Sequence, residues 1–345
     1  MTETGWSRRQ AALALAALAP AACATPAVLR APLVSINLAD NGVQPRPEDI
    51  LDDDGAQLET ALDESRRMTV PVFIDGRGPY DFVVDTGANR SVVSSTLAAE
   101  LGLASAGVAT VHGIAGSEPT ALVRVDALKV GEVVSKNLRL PAMPRARMGA
   151  DGLMGVDMLR NRRVGLNFRE NRFEITASSR RSAYSPPIDT RIKIQDPPIL
   201  VPARYRAGQL VILDAEVGST RVAAFLDSGS QITVGNLALR DAVLATRPKL
   251  RERLIQAPLI SATGQTIGAE LALLPLMRLG GLGVRNILVA FAPLHVFEIW
   301  DMVKRPSILV GVDVMREFDD IVLDFGRREV LFWPPAGRRL PYVPK

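Results

Sequence analysis

Two short runs in this chain carry residue types suited to acid–base chemistry. Asp85-Thr86-Gly87 and Asp227-Ser228-Gly229 each place a carboxylate beside a small hydroxyl residue and a glycine, 142 positions apart. Two carboxylates at short separation cannot easily both ionise, so they share a proton and titrate as a pair. The ionised member can take a proton from water as general base. The protonated member can polarise a carbonyl and then protonate a leaving group. Aspartates also cap tight turns, and for either run alone that reading stands beside the chemical one. The pairing of the two runs is what favours chemistry.

Each run is set in the same kind of surroundings. VPVFIDGRGPYDFVV leads into Asp85 as two apolar strands joined at Gly76-Arg77-Gly78-Pro79, and a short helix over residues 97–101 follows, closed at Gly102. VILDAEVGSTRVAAFL leads into Asp227 in the same way. Further on, GLMGVDML at 152–159 is matched by ILVGVDVM at 308–315. Each is followed by a predicted hairpin, VGLNFRENRFEI at 164–175 and IVLDFGRREVLF at 321–332. This is an imperfect two-unit duplication, not a solenoid period. Asp157 and Asp313 in the Gly-Val-Asp motifs are expected to cap a short helix or satisfy buried amides, and Asp151 to bind the start of that segment. Met154, Met158 and Met315 are expected to fill the core.

On these motifs the chain resembles aspartic peptidases of the retroviral-protease and pepsin superfamily. Asp85-Thr86-Gly87-Ala88 and Asp227-Ser228-Gly229-Ser230 resemble the two active-site loops. Leu153-Met154-Gly155 and Leu309-Val310-Gly311 resemble the hydrophobic-hydrophobic-Gly motif that crosses behind them. The resemblance covers about residues 71–176 and 210–333. It implies a mainly β fold of duplicated aspartic-peptidase lobes, with short helices and a central active-site cleft. It implies an aspartic endopeptidase in which Asp85 and Asp227 activate a water molecule. Thr86, Gly87, Ser228, Gly229 and Ser230 are its expected support, with Thr86 and Ser228 hydrogen-bonding across the lobe junction. Ser230 can donate toward Asp227, where Ala88 has no counterpart for Asp85. The resemblance also places mobile hairpins at Gly113, Ile114, Ala115 and Gly116 and, in the second lobe, around Thr263 and Gly264. His112 is expected in an ordinary surface turn, with the first hairpin as the alternative, and His295 shows no ligand cluster in the sequence. The alternative is a catalytically inactive peptide-binding or envelope scaffold protein of the same fold.

Composition narrows the partners. The chain has 345 residues, is 47% hydrophobic and 23% charged, and its 41 Lys and Arg exceed its 37 Asp and Glu only slightly. No basic stripe with interleaved aromatics supports nucleic-acid binding, and two histidines argue against a histidine-rich metal site. No cofactor or metal is expected. The partner implied is an extended peptide or protein substrate, and with both aspartates in one chain a second subunit is not required. Ser7-Arg8-Arg9 followed by AALALAALAPAACA reads as an export signal over 1–24, resembling the twin-arginine type, or as a polar-headed buried helix. Export to the bacterial periplasm is the expectation. The alternative is an envelope-anchored lipoprotein attached through Cys23, the single cysteine. The organisation expected is a leader over 25–66 with a short helix near 57–67, a first retropepsin-like lobe over 67–177, a linker over 178–205, a second lobe over 206–335 and a tail over 336–345.

Overall fold

A computed structural model describes residues 29–31, 35–37, 50–51, 56–63, 67–178, 198–206 and 208–335. The export-like run with Cys23, most of the expected linker and the tail lie outside the described residues.

The described chain is strand-rich with short helices. Five short strands come first: β1 (Leu29–Ala31), β2 (Ser35–Asn37), β3 (Ile50–Leu51), β4 (Ala56–Glu59) and β5 (Ala61–Leu62). Then come β6 (Met68–Ile74), β7 (Arg77–Val84), β8 (Val92–Ser94) and α1 (Ser95–Glu100). They are followed by β9 (Ser105–Gly113), β10 (Gly116–Val130), β11 (Val133–Met143), α2 (Arg145–Met148) and β12 (Gly152–Met154). The hairpin β13 (Arg162–Asn167) and β14 (Arg172–Ala177) ends the first half. The second half opens with β15 (Ile199–Arg206), β16 (Gln209–Val217), β17 (Thr220–Leu226), β18 (Thr233–Gly235) and α3 (Leu237–Thr246). It continues with β19 (Ile255–Ser261), β20 (Thr266–Leu279), β21 (Leu282–Phe291) and α4 (His295–Ile299). It closes with β22 (Ser307–Val310), α5 (Val312–Met315), β23 (Asp320–Asp324) and β24 (Glu329–Trp333).

Strand order explains how the aspartates are carried. In one sheet the neighbours run β9-β10-β11-β8-β12-β7-β6, and in the other β19-β20-β21-β18-β22-β17-β16. β7 and β17 lie inside these sheets and pair in parallel with β12 and β22, Val84 opposite Met154 and Leu226 opposite Val310. A central strand covered on both faces must be apolar throughout. Accordingly Phe82, Val83 and Val84 are all buried, as are Ala224, Phe225 and Leu226. Met154, Met158 and Met315 are buried in the core as expected. The hairpins β13–β14 and β23–β24 form as expected and pair with each other, Val164 opposite Leu323, so one sheet takes strands from both halves of the chain.

Three local expectations need correction. The turn before β7 is Asp75-Gly76, with positive φ at both residues (50° and 77°), and residues 77–79 already belong to the strand. Asp-Gly suits a two-residue hairpin whose twist matches its flanking strands. The helix expected near 57–67 does not form. β4 pairs with β14 and β5 with β6, because an isolated short helix is marginal while open sheet edges offer backbone partners. The end of the expected linker is also strand, since β15 starts at Ile199 and bridges β16 and β24. Among the described residues no helix is long and apolar enough to cross a membrane.

The Gly-Val-Asp motifs lock the segments behind the aspartate loops. Asp157 accepts the Ser91 N–H at 2.9 Å, the Ser91 hydroxyl at 2.7 Å and the Met158 N–H at 3.1 Å, while Ser91 Oγ accepts the Gly155 N–H at 3.0 Å. Asp313 does the same with Thr233 and Val314. Asp151 accepts the Asp81 N–H and pairs with Arg145 at 2.9 Å. Asp157→Ala leaves buried donors without an acceptor, which costs roughly 1–3 kcal/mol. Its denaturation midpoint is expected to fall, with exposed Asp126→Ala as the control. Equal midpoints for the two variants would remove this role.

Candidate active site

Asp85 and Asp227 stand at the ends of the buried strands β7 and β17. Their N–H groups bond to Met154 O and Val310 O, each at 2.9 Å, so the segments crossing behind fix where each loop begins. Within the first loop, Gly87 N–H and Ala88 N–H both donate to Asp85 Oδ1 at 2.9 Å. Within the second, Gly229 N–H donates to Asp227 Oδ1 at 3.0 Å, and the Ser230 N–H adds a second bond.

The two loops are tied tip to tip by a crossed set of hydrogen bonds. The Thr86 hydroxyl donates to Leu226 O at 2.9 Å and accepts the Ser228 N–H at 3.0 Å. The Ser228 hydroxyl donates to Val84 O at 2.7 Å and accepts the Thr86 N–H at 3.0 Å. Each hydroxyl therefore satisfies two buried backbone groups of the opposite half. Thr86, Gly87, Ser228 and Gly229 are brought together as the sequence leads one to expect. Ser230 differs: its hydroxyl donates to Ile232 O at 2.7 Å, two residues on, and only its N–H serves Asp227. The expected difference between Ser230 and Ala88 at the carboxylates therefore does not arise from that hydroxyl.

The glycines measure how close the carboxylates are. A Cβ on Gly87 would lie 2.4 Å from Asp227 Cγ, and one on Gly229 would lie 2.3 Å from Asp85 Cγ. No real side chain fits there. Each carboxyl therefore lies against the opposite loop. Among the described residues no hydrogen-bond partner reaches the buried Oδ2 of either. Burial raises Asp85 to about 7, opposed chiefly by the Arg67 guanidinium and the loop N–H groups. Asp227 lies well above the ordinary carboxylate range, through burial and then through the charge of Asp85. Both carboxyls thus hold a proton more tightly than an ordinary aspartate does.

Two further residues reach this site. Arg67 Nη1 donates to Gly229 O at 3.3 Å. Gln209 Nε2 donates to Gly87 O at 2.9 Å and to Asn89 Oδ1 at 2.6 Å. Arg67 falls beside the expected leader and Gln209 at the start of a strand, and neither belongs to a motif. The spacing to the following aspartate, similar in the two halves, was the available signal.

The expected hairpins form at β9–β10 and β19–β20. Ile114, at the first tip, is fully buried in an apolar cluster with Leu294, Val296, Phe297 and Trp300 of the other half, and its carbonyl accepts the His295 N–H at 2.7 Å. His112 lies on β9, not in a surface turn. Its Nδ1 is 3.0 Å from His295 Nε2, and His295 Nδ1 is 3.1 Å from Glu298. The two hairpins also touch: Arg147 bonds Glu118 at 2.7 Å and Thr263 O at 3.1 Å, and Gln265 bonds Ser117 O at 3.2 Å. Among the described residues no three His, Cys, Asp or Glu side chains are placed to hold a metal ion.

Two outcomes follow from this geometry. A buried acid that gains proton affinity on folding stabilises the fold fully below its unfolded value, near 3.8. That stabilisation is lost as pH rises through the folded value, about 7 for Asp85. Asp157, Asp313 and Asp320 act in the same direction. Calorimetric Tm is therefore expected to fall by several degrees between pH 4 and 8, and Asp227→Asn to flatten part of that fall; parallel curves for the two proteins would contradict the pairing. Ile114→Ala, which removes fully buried apolar volume, is expected to cost about 2–5 kcal/mol of tip docking. Amide exchange at residues 111–116 should then quicken; unchanged exchange would mean that the tip is not held by this contact.

Comparison with known proteins finds a match over one part of the chain. No curated protein matches the chain. Residues 70–158, which run from β6 through Asp85 to the first Gly-Val-Asp motif, match a family described as aspartyl protease. A partial aspartyl protease domain is thus present over residues 70–158.

Proposed function

We propose that the chain is an aspartic endopeptidase with two duplicated lobes and a central cleft, in which Asp85 and Asp227 share the work. The observation that carries the proposal is the pair of buried carboxyls, each too close to the opposite loop for any residue but glycine. The repeated strand order around β7 and β17 supports the duplication. The match over residues 70–158 supports the class of chemistry for the first half.

In this reading the ionised member of the pair takes a proton from a water molecule. The water oxygen attacks the peptide carbonyl carbon while the protonated member gives its proton to the carbonyl oxygen. The resulting gem-diol collapses as the amide nitrogen is protonated and the C–N bond breaks, releasing a carboxylic acid and an amine. The shared proton returns to the pair. The hairpins β9–β10 and β19–β20 would cover an extended peptide and exclude bulk water. Both carboxyls come from one chain, so a single copy would suffice. Substrates would be exported or envelope proteins, with the segment 1–24 as signal and Cys23 as the alternative lipid anchor.

A second reading, peptide binding without cleavage, is favoured by one feature: the first hairpin tip is already docked on the other half through Ile114. Mass-spectrometric digestion of a diverse peptide library from acid to neutral pH separates the two. Cleavage by the wild type is expected, with Asp85→Asn and Asp227→Asn each lower by about 10²–10⁴-fold. Equal cleavage by all three proteins would defeat the carboxyl mechanism. Peptide retention without new termini would favour the binding reading.

A further inference from the structure

Just ahead of β6, the first strand of the hairpin that leads into Asp85, stands a buried cation that the acid–base scheme leaves without a role. Arg67 is 4% exposed. Asp63 holds it from one edge: Arg67 Nε and Nη2 donate to Asp63 Oδ2 at 2.8 and 2.5 Å, and the Arg67 N–H donates to Asp63 Oδ1 at 2.7 Å. Nη2 also donates to Met148 O. Nη1 is left to reach across to Gly229 O.

Gln209 makes the matching contact from the other half, donating to Gly87 O. Each aspartate loop is therefore gripped at its glycine carbonyl by a side chain of the opposite half. One grip is a neutral amide and the other a guanidinium. A neutral amide performs the mechanical task, as Gln209 demonstrates. Burying an ion costs far more than burying an amide, even when it is paired. The difference between the grips therefore lies in charge. The titratable groups acting on the pair are the two aspartates themselves and Arg67, which favours the ionised form of both. Asp63 binds the Nε–Nη2 edge of the guanidinium. Gln209, Thr86 and Ser228, which reach the loops from the other elements, are neutral.

We propose that Arg67 is a positioning residue for the aspartate pair: through the Gly229 carbonyl it holds the second loop against the first half, and its charge keeps one carboxyl ionised at lower pH than a neutral grip would. The proposal rests on Asp85 and Asp227 being the working pair, but its test does not require cleavage.

Carboxyl-carbon NMR of the full chain labelled with ¹³C-aspartate follows the pair directly, beside the pH profile of peptide cleavage. In Arg67→Gln the grip on Gly229 can persist but the cation is gone. The titration of the pair and both limbs of the cleavage profile are expected to move up by about one pH unit. Arg67→Lys, which keeps the charge, is expected to move them by less than half as much. Asp63→Asn leaves Arg67 in place without its neutralising partner and is expected to move the titration down; it carries the test if Arg67→Gln does not fold. Titrations of Arg67→Gln that superimpose on the wild type, or an unmoved Asp63→Asn, would reduce Arg67 to a structural tie. If no variant cleaves but the titrations move as stated, the endopeptidase reading fails and the role of Arg67 on the pair stands.

Discussion

Four hydrogen bonds between Thr86, Ser228 and the strand ends behind them set the arrangement on which everything else depends. Each hydroxyl both donates to and accepts from the opposite half, so neither loop has its buried backbone groups satisfied without the other. Leaving such groups unpaired would cost about 1–3 kcal/mol each. The crossed bonds force the loop tips together, and the carboxyls must follow. The residue after each hydroxyl then has no room for a side chain. Gly87 and Gly229 thus follow from the contact between the halves, as well as from the turns they occupy.

Forced proximity fixes the electrostatics. Burial alone would favour two neutral acids, while the loop N–H groups and Arg67 favour anions. Neither tendency prevails for both groups, because two adjacent anions repel and two neutral acids forfeit the donors aimed at Oδ1. In the proposed pair a single shared proton would satisfy the donors, the cation and the proximity of the carboxyls together. The strand order around β7 and β17 recurs more closely than the side chains do. Arg67 faces Gln209 in role, Thr86 faces Ser228, and the apolar tip at Ile114 faces a polar one at Thr263. Backbone pairing can recur under many sequences, whereas a buried charge or a docked apolar tip has to be supplied by one particular residue.

The same distinction explains what could be read from the sequence. The aspartate loops, the hydrophobic-hydrophobic-Gly segments and the hairpins are local patterns of apolar alternation and turn residues, and they were legible. Short-range competition was not: Ser230 turns its hydroxyl to Ile232 O instead of Asp227. Long-range pairing was less visible still. Residues 56–62 carry no strong strand pattern and become strand because β14 and β6 present open edges. His112 and His295 are 183 residues apart, and their contact exists only because the first hairpin reaches α4 of the other half. Arg67 fell at the end of an expected short helix, and its bond to Gly229 exists only where the two halves meet.

Among the described residues five aspartates, Asp85, Asp157, Asp227, Asp313 and Asp320, are raised in proton affinity chiefly by burial, so burial alone does not mark a reactive group. Asp157 and Asp313 are raised as well, yet each is occupied by a hydroxyl and by backbone N–H groups that lock Gly-Val-Asp to the strand beside it. Their donors lie in the same half of the chain. Asp85 and Asp227 each give Oδ1 to their own loop, while the buried Oδ2 of each has no hydrogen-bond partner among the described residues. An acid saturated by fixed donors has nothing left with which to exchange a proton. An acid whose remaining partner is another acid can pass a proton either way at little cost, since the product of the transfer resembles the reactant. In the proposed pair that near-degeneracy would separate Asp85 and Asp227 from the other buried carboxylates, and it would come from the crossing of two loops.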